Sequence, residues 1–297
     1  MSEAPHKAGF VNIIGNPNVG KSTLMNALVG ERLSIITNKA QTTRHRILGI
    51  VNAPEHQIVF SDTPGVIEPA YKLQESMMDF VKSAFQDADV LIYMVEPGEK
   101  RLKDEALFER LKKNEIPLLL VINKIDTTEP QRLEEYATYW KEQFPRAEVI
   151  PISALEHFGI EPLLNRIVEL LPESPPYFDK EALTDKSERF FVQEAIRKQI
   201  LLNYKKEVPY SVEIEVEEFK EEQGIIRMRA IILVARETQK GIIIGHQGKM
   251  IKKVGINARK ELEDFFQKRI HLELFVKVAK DWRDSDKDLK RFGYKSS

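Results

Sequence analysis

Apolar positions along the chain follow two regimes. As far as about residue 172, short unbroken apolar runs (Phe10–Ile14, Val90–Val95, Ile116–Ile122) alternate with segments of helical spacing such as 103–111. Uninterrupted runs of this length fit strands buried on both faces, and their alternation with helices predicts a mostly parallel sheet covered on each side. Two runs at 46–51 and 57–61 sit close together across Asn52-Ala53-Pro54 and are expected to form a hairpin, and a last strand is expected at 148–152. Beyond residue 188 the rhythm changes. Val192, Ile196 and Ile200 recur four apart on one helical face, and residues 212–216 and 226–234 alternate as half-exposed strands do, implying an antiparallel sheet. Ile251, Val254, Ala258, Leu262 and Phe265 then mark one face of a long helix before a final strand at 271–278. The break falls at Leu171-Pro172-Glu173-Ser174-Pro175-Pro176, where paired prolines cannot continue a helix. We therefore expect an α/β domain over residues 1–173, a linker over 174–186 and an α+β domain over 187–297.

Composition sharpens this division. The 297 residues are 42% hydrophobic, enough for two cores. There is no cysteine, which excludes disulfides, thiol nucleophiles and thiolate-bound zinc and suits a reducing compartment. The polar N-terminus and the lack of any long apolar run predict a cytoplasmic protein with no membrane-spanning segment. Residues 182–297 carry 25 Lys+Arg against 19 Asp+Glu, whereas residues 1–181 carry 20 against 27. A basic half of net +6 joined to an acidic half of net −7 points the C-terminal half towards a polyanion.

The first apolar run leads straight into Gly15-Asn16-Pro17-Asn18-Val19-Gly20-Lys21-Ser22-Thr23 and a helix-forming segment. A strand, a Gly-x-x-x-x-Gly-Lys-Ser loop and a helix form a nest of inward-facing N–H groups at the positive end of the helix dipole, which suits a phosphate chain. In that nest Lys21 reaches the β- and γ-phosphates and Ser22 offers a hydroxyl to magnesium. Residues 34–45 are polar and aperiodic; Thr42 or Thr43 can place a hydroxyl on the same ion and an N–H on the γ-phosphate. About forty residues after Lys21 come Asp62-Thr63-Pro64-Gly65, an acidic strand end that can hold magnesium and a glycine that can approach the terminal phosphate. Asn123, Lys124 and Asp126 follow another buried run; a carboxylate at that place accepts the N1–H and exocyclic amine of guanine, a pairing adenine cannot offer. After the last strand, Ser153-Ala154 can turn a backbone N–H to the guanine carbonyl.

In that order and spacing, these elements resemble the translation-factor-related GTPases over residues 9–172. The resemblance implies a Ras-like GTPase domain that cycles between GTP and GDP with Mg2+, and it selects Thr43 over Thr42 because the family threonine directly precedes an Arg, here Arg44. One departure matters. Val66 stands where many GTPases carry the glutamine that orients the attacking water, so hydrolysis is expected to be slow unless a partner or an ion helps. In related members an asparagine matching Asn18 coordinates potassium, which makes K+ an expected activator.

In the basic half, Gly245-His246-Gln247-Gly248 lies between two apolar-rich helical segments, followed by Lys249, Lys252 and Lys253. A Gly-x-x-Gly turn lets a nucleic-acid backbone come close while lysines meet its phosphates. The order helix, two strands, two helices around that turn and a final strand resembles a type II KH domain over about 185–282. Joined to the first half, and with Lys39-Ala40-Gln41-Thr42-Thr43-Arg44 and the Val278-to-Trp282 segment, the whole resembles the Era family of bacterial GTPases. That resemblance implies a KH domain holding the 3′ end of small-subunit ribosomal RNA and a role in small-subunit assembly. Separately, a monomer is expected. Two other readings set against it are a switch that docks a protein or the inner face of the membrane through its basic half, and an RNA-binding protein whose nucleotide site is only structural. The charged tail from Asp284 to Ser297 is expected to be mobile.

Overall fold

The structure, a computed structural model, describes residues 5–295. They cluster into two units, residues 5–70 with 74–185, and residues 186–295 with 71–73. In the first, β1 (Lys7–Ile14), β2 (Ile47–Asn52), β3 (His56–Asp62), β4 (Val90–Val95), β5 (Leu118–Ile122) and β6 (Glu148–Pro151) form one sheet in the order β2-β3-β1-β4-β5-β6. All neighbours are parallel except β2 with β3, the predicted hairpin. Helices α1 (Lys21–Val29), α2 (Lys72–Gln86), α3 (Glu105–Lys112), α4 (Pro130–Gln143) and α5 (Ile160–Leu170) alternate with the strands. Every residue of β4 is buried, as its unbroken VLIYMV run requires of a central strand. Because the parallel strands all run one way, the loops after β1, β3, β5 and β6 gather at their carboxyl ends, the place where open α/β sheets bind ligands.

The segment expected as a linker is fastened to this sheet. Thr184 bridges Gly49, Ile50 N–H donates to Leu183 O at 2.8 Å, and the Gln57 side chain accepts from the N–H groups of Tyr177 and Phe178. The exposed edge of β2 had unpaired backbone groups to offer, and residues 182–185 use them.

The second unit runs α6 (Glu188–Asn203), β7 (Val212–Glu222), β8 (Ile225–Val234), α7 (Glu237–Ile244), α8 (Lys249–Phe266), β9 (Arg269–Val278) and α9 (Asp286–Arg291). Its sheet has the order β7-β8-β9: the two strands expected to be antiparallel are so, and the third makes the sheet mixed. β7 and β8 form a hairpin, but β9 runs parallel to β8 because two helices carry the chain back to the starting end. Val192, Ile196 and Ile200 pack with Ile214, Ile232, Val254, Ala258 and Leu262 in the core. Phe265 falls outside it, 43% exposed and stacked at 5.1 Å on Phe191. The tail is not loose as far as it is described. Leu289 and Tyr294 are buried, and the Tyr294 hydroxyl donates to Glu213 at 2.7 Å; Ser296 and Ser297 lie outside the described residues.

Candidate functional site: a phosphate cavity and a basic groove

β1 delivers the chain into a loop with no spare room. A Cβ on Gly15 would stand 2.3 Å from Met94 O, and Asn18 and Gly20 take positive φ of 69° and 103° to curl the loop into the start of α1. Lys21 lies buried across the curl, donating to Gly15 O at 3.1 Å and Asn16 O at 2.9 Å. Burial lowers its pKa to about 8, against the pull of Asp62 and Glu99.

Parallel pairing sets Asp62 opposite Ile13, so the end of β3 emerges beside this loop. The Asp62 carboxyl is wholly buried, and desolvation raises its pKa. Its Oδ2 accepts from Ser22 Oγ at 2.7 Å and Thr43 Oγ1 at 3.3 Å, and those two hydroxyls are 3.0 Å apart. Its Oδ1 is buried and accepts no hydrogen bond. Thr42 turns elsewhere: its hydroxyl meets Thr37 Oγ1 and Lys39 O, each at 2.6 Å. Thr63 Oγ1 donates to Ile13 O, and a Cβ on Gly65 would stand 2.7 Å from the Pro17 Cα. Val66 N–H donates to Gly15 O at 3.0 Å while its side chain is fully buried in the core.

At the other end of the cavity Asn123 is a strut. Its amide donates to Val19 O at 2.8 Å, and its Oδ1 accepts the Ala154 N–H at 2.9 Å. That N–H, expected to face a guanine carbonyl, thus braces Asn123 in this structure. Lys124, at φ 61°, donates to Asn18 O at 2.7 Å and pairs with Glu96. Exposed Asp126 accepts from Ser153 Oγ at 2.5 Å.

These parts enclose a cavity of about 510 Å3 lined by Pro17, Asn18, Gly20, Lys21, Ser22, Thr23, Thr43, Thr63, Gly65, Asn123, Lys124, Asp126 and Ser153. Gly15, Asn16, Val19, Asp62, Pro64 and Ala154 do not line it, and Asp62 reaches it only through the Ser22 and Thr43 hydroxyls it holds. Asn16 points the other way, its amide donating to Glu99 and to Arg101 O while its Oδ1 accepts from Lys103 N–H. The local pattern also missed contributors to the wall: Leu155, 72% exposed, Ile36, 47% exposed, and Gln41. Large apolar side chains left in the open at a cavity mouth suit a flat heterocycle, but only the fold reveals that they are open.

In the second unit, Gly245 and Gly248 hold φ of 71° and 73°, with Gln247 at 51° between them, so the turn links α7 to α8 through left-handed backbone. His246, Gln247, Lys249, Lys252 and Lys253 are all exposed. Beside the turn runs a groove of about 410 Å3 between α8 and β9, floored by Ile251, Ile256, Leu272 and Leu274 and edged by Lys252, Arg259 and His271. Of these groove residues the sequence reading had singled out Lys252 for a role there. Arg259 and His271 meet only because β9 lies against α8. An apolar floor with a cationic rim is what single-stranded nucleic acid requires, bases to the floor and phosphates to the rim.

Residues 10–124 match a family model described as a 50S ribosome-binding GTPase, and residues 207–283 match a KH domain model. The chain is 44% identical to GTPase Era of Geotalea uraniireducens over 296 residues, covering 99% of this chain and all of that relative. It is 46% identical to GTPase Era of Syntrophus aciditrophicus over 291 residues, covering 97% and 95%. Its fold matches a crystal structure of Era with MgGDPNP and nucleotides 1506–1542 of 16S ribosomal RNA, with a TM-score of 0.93, 38% identity and coverage of 98% of this chain and all of that one. A variant of Aquifex aeolicus Era bound to GDP and aluminium fluoride matches with the same TM-score at 37% identity, with coverage of 98% of this chain and all of that one.

Proposed function

This chain belongs to the Era family of GTPases, and from that premise we propose that it binds the 3′ end of small-subunit ribosomal RNA in its basic groove and serves small-subunit assembly. The observation that carries the reading is the pairing, in one chain, of an enclosed phosphate cavity with an open Gly-x-x-Gly groove, in a fold matching an Era complex with that RNA and MgGDPNP.

Residue roles follow from the geometry. The hydroxyls of Ser22 and Thr43 and the Asp62 carboxylate are an all-oxygen set, the donor chemistry magnesium prefers, and the buried unpaired Oδ1 of Asp62 fits a cation nearby. We assign these three to Mg2+, which when bound neutralises charge on the phosphates. Lys21 releases the two loop carbonyls to meet the phosphates, and Gly65 brings its backbone to the terminal one. Asp126 accepts the guanine edge, with Asn123 and Lys124 holding the loop in place. Asn18, exposed on the cavity wall, is our candidate potassium ligand, compensating for a Val66 that cannot touch water. Hydrolysis should run several-fold faster in K+ than in Na+; equal rates remove this role.

The cytoplasm fits a role on the ribosome, and no described helix is long and apolar enough to cross a membrane. The first test is crosslinking of the full-length protein, loaded with GDPNP, to cellular RNA, followed by sequencing. Enrichment of the small-subunit RNA 3′ end, lost in a Lys252→Glu/Arg259→Glu double variant, is expected. Equal recovery by that variant would refute the groove assignment and turn attention to anionic membranes and protein partners.

A further inference from the structure

The valine at position 66 leaves the reaction without the side chain that elsewhere aligns the attacking water, and the structure offers a replacement in an unexpected place. We propose that Gln41, in the polar loop before Thr43, orients the water that attacks the γ-phosphate. The proposal rests on reading the first unit's cavity as the GTP site.

Three observations carry it. Gln41 lines the nucleotide cavity together with Lys21, Ser22, Thr43 and Gly65, the residues at its γ-phosphate end. It also lines a second cleft of about 770 Å3 behind the loop, whose rim includes the exposed side chains of Glu68, Arg101 and Lys103. Among the described residues it is the one residue that lines both spaces, so it stands on the wall between the γ-phosphate end of the nucleotide cavity and a second, open cleft. Secondly, its backbone is held at φ 56°, a conformation that costs a non-glycine residue energy and that concentrates at functional sites. Thirdly, both flanks are tied. The Thr42 hydroxyl, one residue on, closes a turn back across Gln41 to Thr37 and Lys39, which precede it, and Thr43, the next residue, is held by Ser22 and Asp62. Thr42, the residue that competes with Thr43 in the sequence, thus acquires a task of its own: it positions Gln41.

A carboxamide has both an acceptor and a donor, so it can take one proton of the water in a hydrogen bond while donating to a phosphate oxygen. In the step it assists, the water oxygen bonds to the γ-phosphorus as the bond from that phosphorus to the β–γ bridging oxygen breaks. The bonding pair leaves with GDP, and one water proton passes to the departing phosphate, giving GDP and dihydrogen phosphate.

The test is single-turnover hydrolysis of GTP by the full-length protein with Mg2+ and K+ and without RNA, beside affinities for GDPNP and for GDP with aluminium fluoride. Gln41→Ala should slow hydrolysis on the order of 100-fold, the size of one lost transition-state contact, and weaken capture of GDP with aluminium fluoride. Its GDPNP affinity should stay within about twofold of wild type, since a group acting only in the transition state contributes nothing to ground-state binding. Gln41→Glu, which keeps an acceptor in place, should recover part of the rate, and Thr42→Val should lower the rate in the same direction. An unchanged rate in Gln41→Ala overturns the proposal. So does a parallel fall in rate and GDPNP affinity, which would make Gln41 a strut of the loop. Wild-type protein that binds GDPNP but does not hydrolyse GTP would overturn the parent reading and this one together, whereas normal wild-type turnover with an indifferent Gln41 overturns this one alone.

Discussion

The two ligand sites of this chain solve the problem of binding phosphate in opposite ways. In the nucleotide cavity the ionic groups are buried: Lys21 and Asp62 sit beneath the surface, held by backbone carbonyls and hydroxyls. In the second unit the cationic groups are exposed: Lys252 and Arg259 line a groove with an apolar floor, and Lys249 and Lys253 stand open on the same helix. Glycine serves each differently. Gly15, Gly20 and Gly65 each have a neighbouring atom 2.3–2.7 Å from where a Cβ would stand; at the turn beside the groove Gly245 is as tightly hemmed, by Met250 at 2.6 Å, but Gly248 has nothing within 4 Å and needs only its positive φ. A compact, highly charged ligand is met by preorganised atoms with no slack, and a long flexible polymer by a forgiving track. The cavity should therefore answer to single-atom changes far more than the groove does.

The largest effect expected from a one-atom change is at Asp126. Asp126→Asn exchanges an acceptor for a donor opposite the exocyclic amine of guanine, leaving two donors facing each other in a site built to pair them. Affinity for GDP should fall on the order of 10⁴-fold, and affinity for xanthosine diphosphate, whose carbonyl matches the new donor, should rise. Competition binding with the two nucleotides measures both. A variant that still prefers GDP would mean that specificity resides in the strut formed by Asn123 and Ala154.

A smaller effect comes from the buried lysine. In the nucleotide-free protein Lys21 titrates at about 8, against 10.5 ordinarily, because burial disfavours its charge. Between about pH 8 and 10.5 the unfolded chain binds a proton that the folded protein has shed, so stability without nucleotide should rise with pH through that window and be lowest below it. Nucleotide affinity should move the other way. The phosphates need the ammonium form, so above pH 8 binding must take up a proton and affinity should weaken by up to about tenfold per pH unit. Calorimetry of GDP binding in buffers of different ionisation enthalpy reads that proton directly. Lys21→Arg, which stays charged throughout, should bind GDP without the proton uptake.

How far each site was legible in the sequence follows from the same contrast. Parts of the cavity that are contiguous in sequence and need a particular backbone could be read: the glycines and Lys21 after β1, Asp62 at the end of β3, Asn123 and Asp126 after β5. Even there, the chain order did not reveal which way a side chain turns, so Asn16 passed for a cavity residue although it faces the loop at 99–103. The groove was half visible. Its turn is local, but Arg259 and His271 are joined only through the packing of β9 on α8, and no periodicity announces that β9 runs parallel to β8. Gln41 and the attachment of residues 182–185 to β2 were invisible for a related reason: both lie in aperiodic polar stretches whose meaning comes from what they rest against.

The smallest effect separates two glycines of one motif. A Cβ on Gly245 would stand 2.6 Å from Met250 Cγ and 2.7 Å from Met250 Cβ, in addition to the cost of its φ; a Cβ on Gly248 would meet nothing, so only the φ penalty applies. Gly248→Ala should therefore destabilise the protein by about 1–2 kcal/mol, the cost of one residue in left-handed backbone, while Gly245→Ala should cost more because Met250 lies in the first turn of α8 and cannot retreat freely. Urea unfolding followed by a probe in the second unit would rank them. The same difference bears on how an RNA defect at this turn is read. A Gly245→Asp variant that loses RNA could have lost the turn itself, whereas loss of RNA in Gly248→Asp would report charge against the phosphate track. A forgiving groove predicts that Gly248→Ala, neutral and unobstructed, keeps RNA affinity within about threefold of wild type, and a steeper loss would show that the nucleic-acid backbone packs against this glycine as closely as Met94 packs against Gly15.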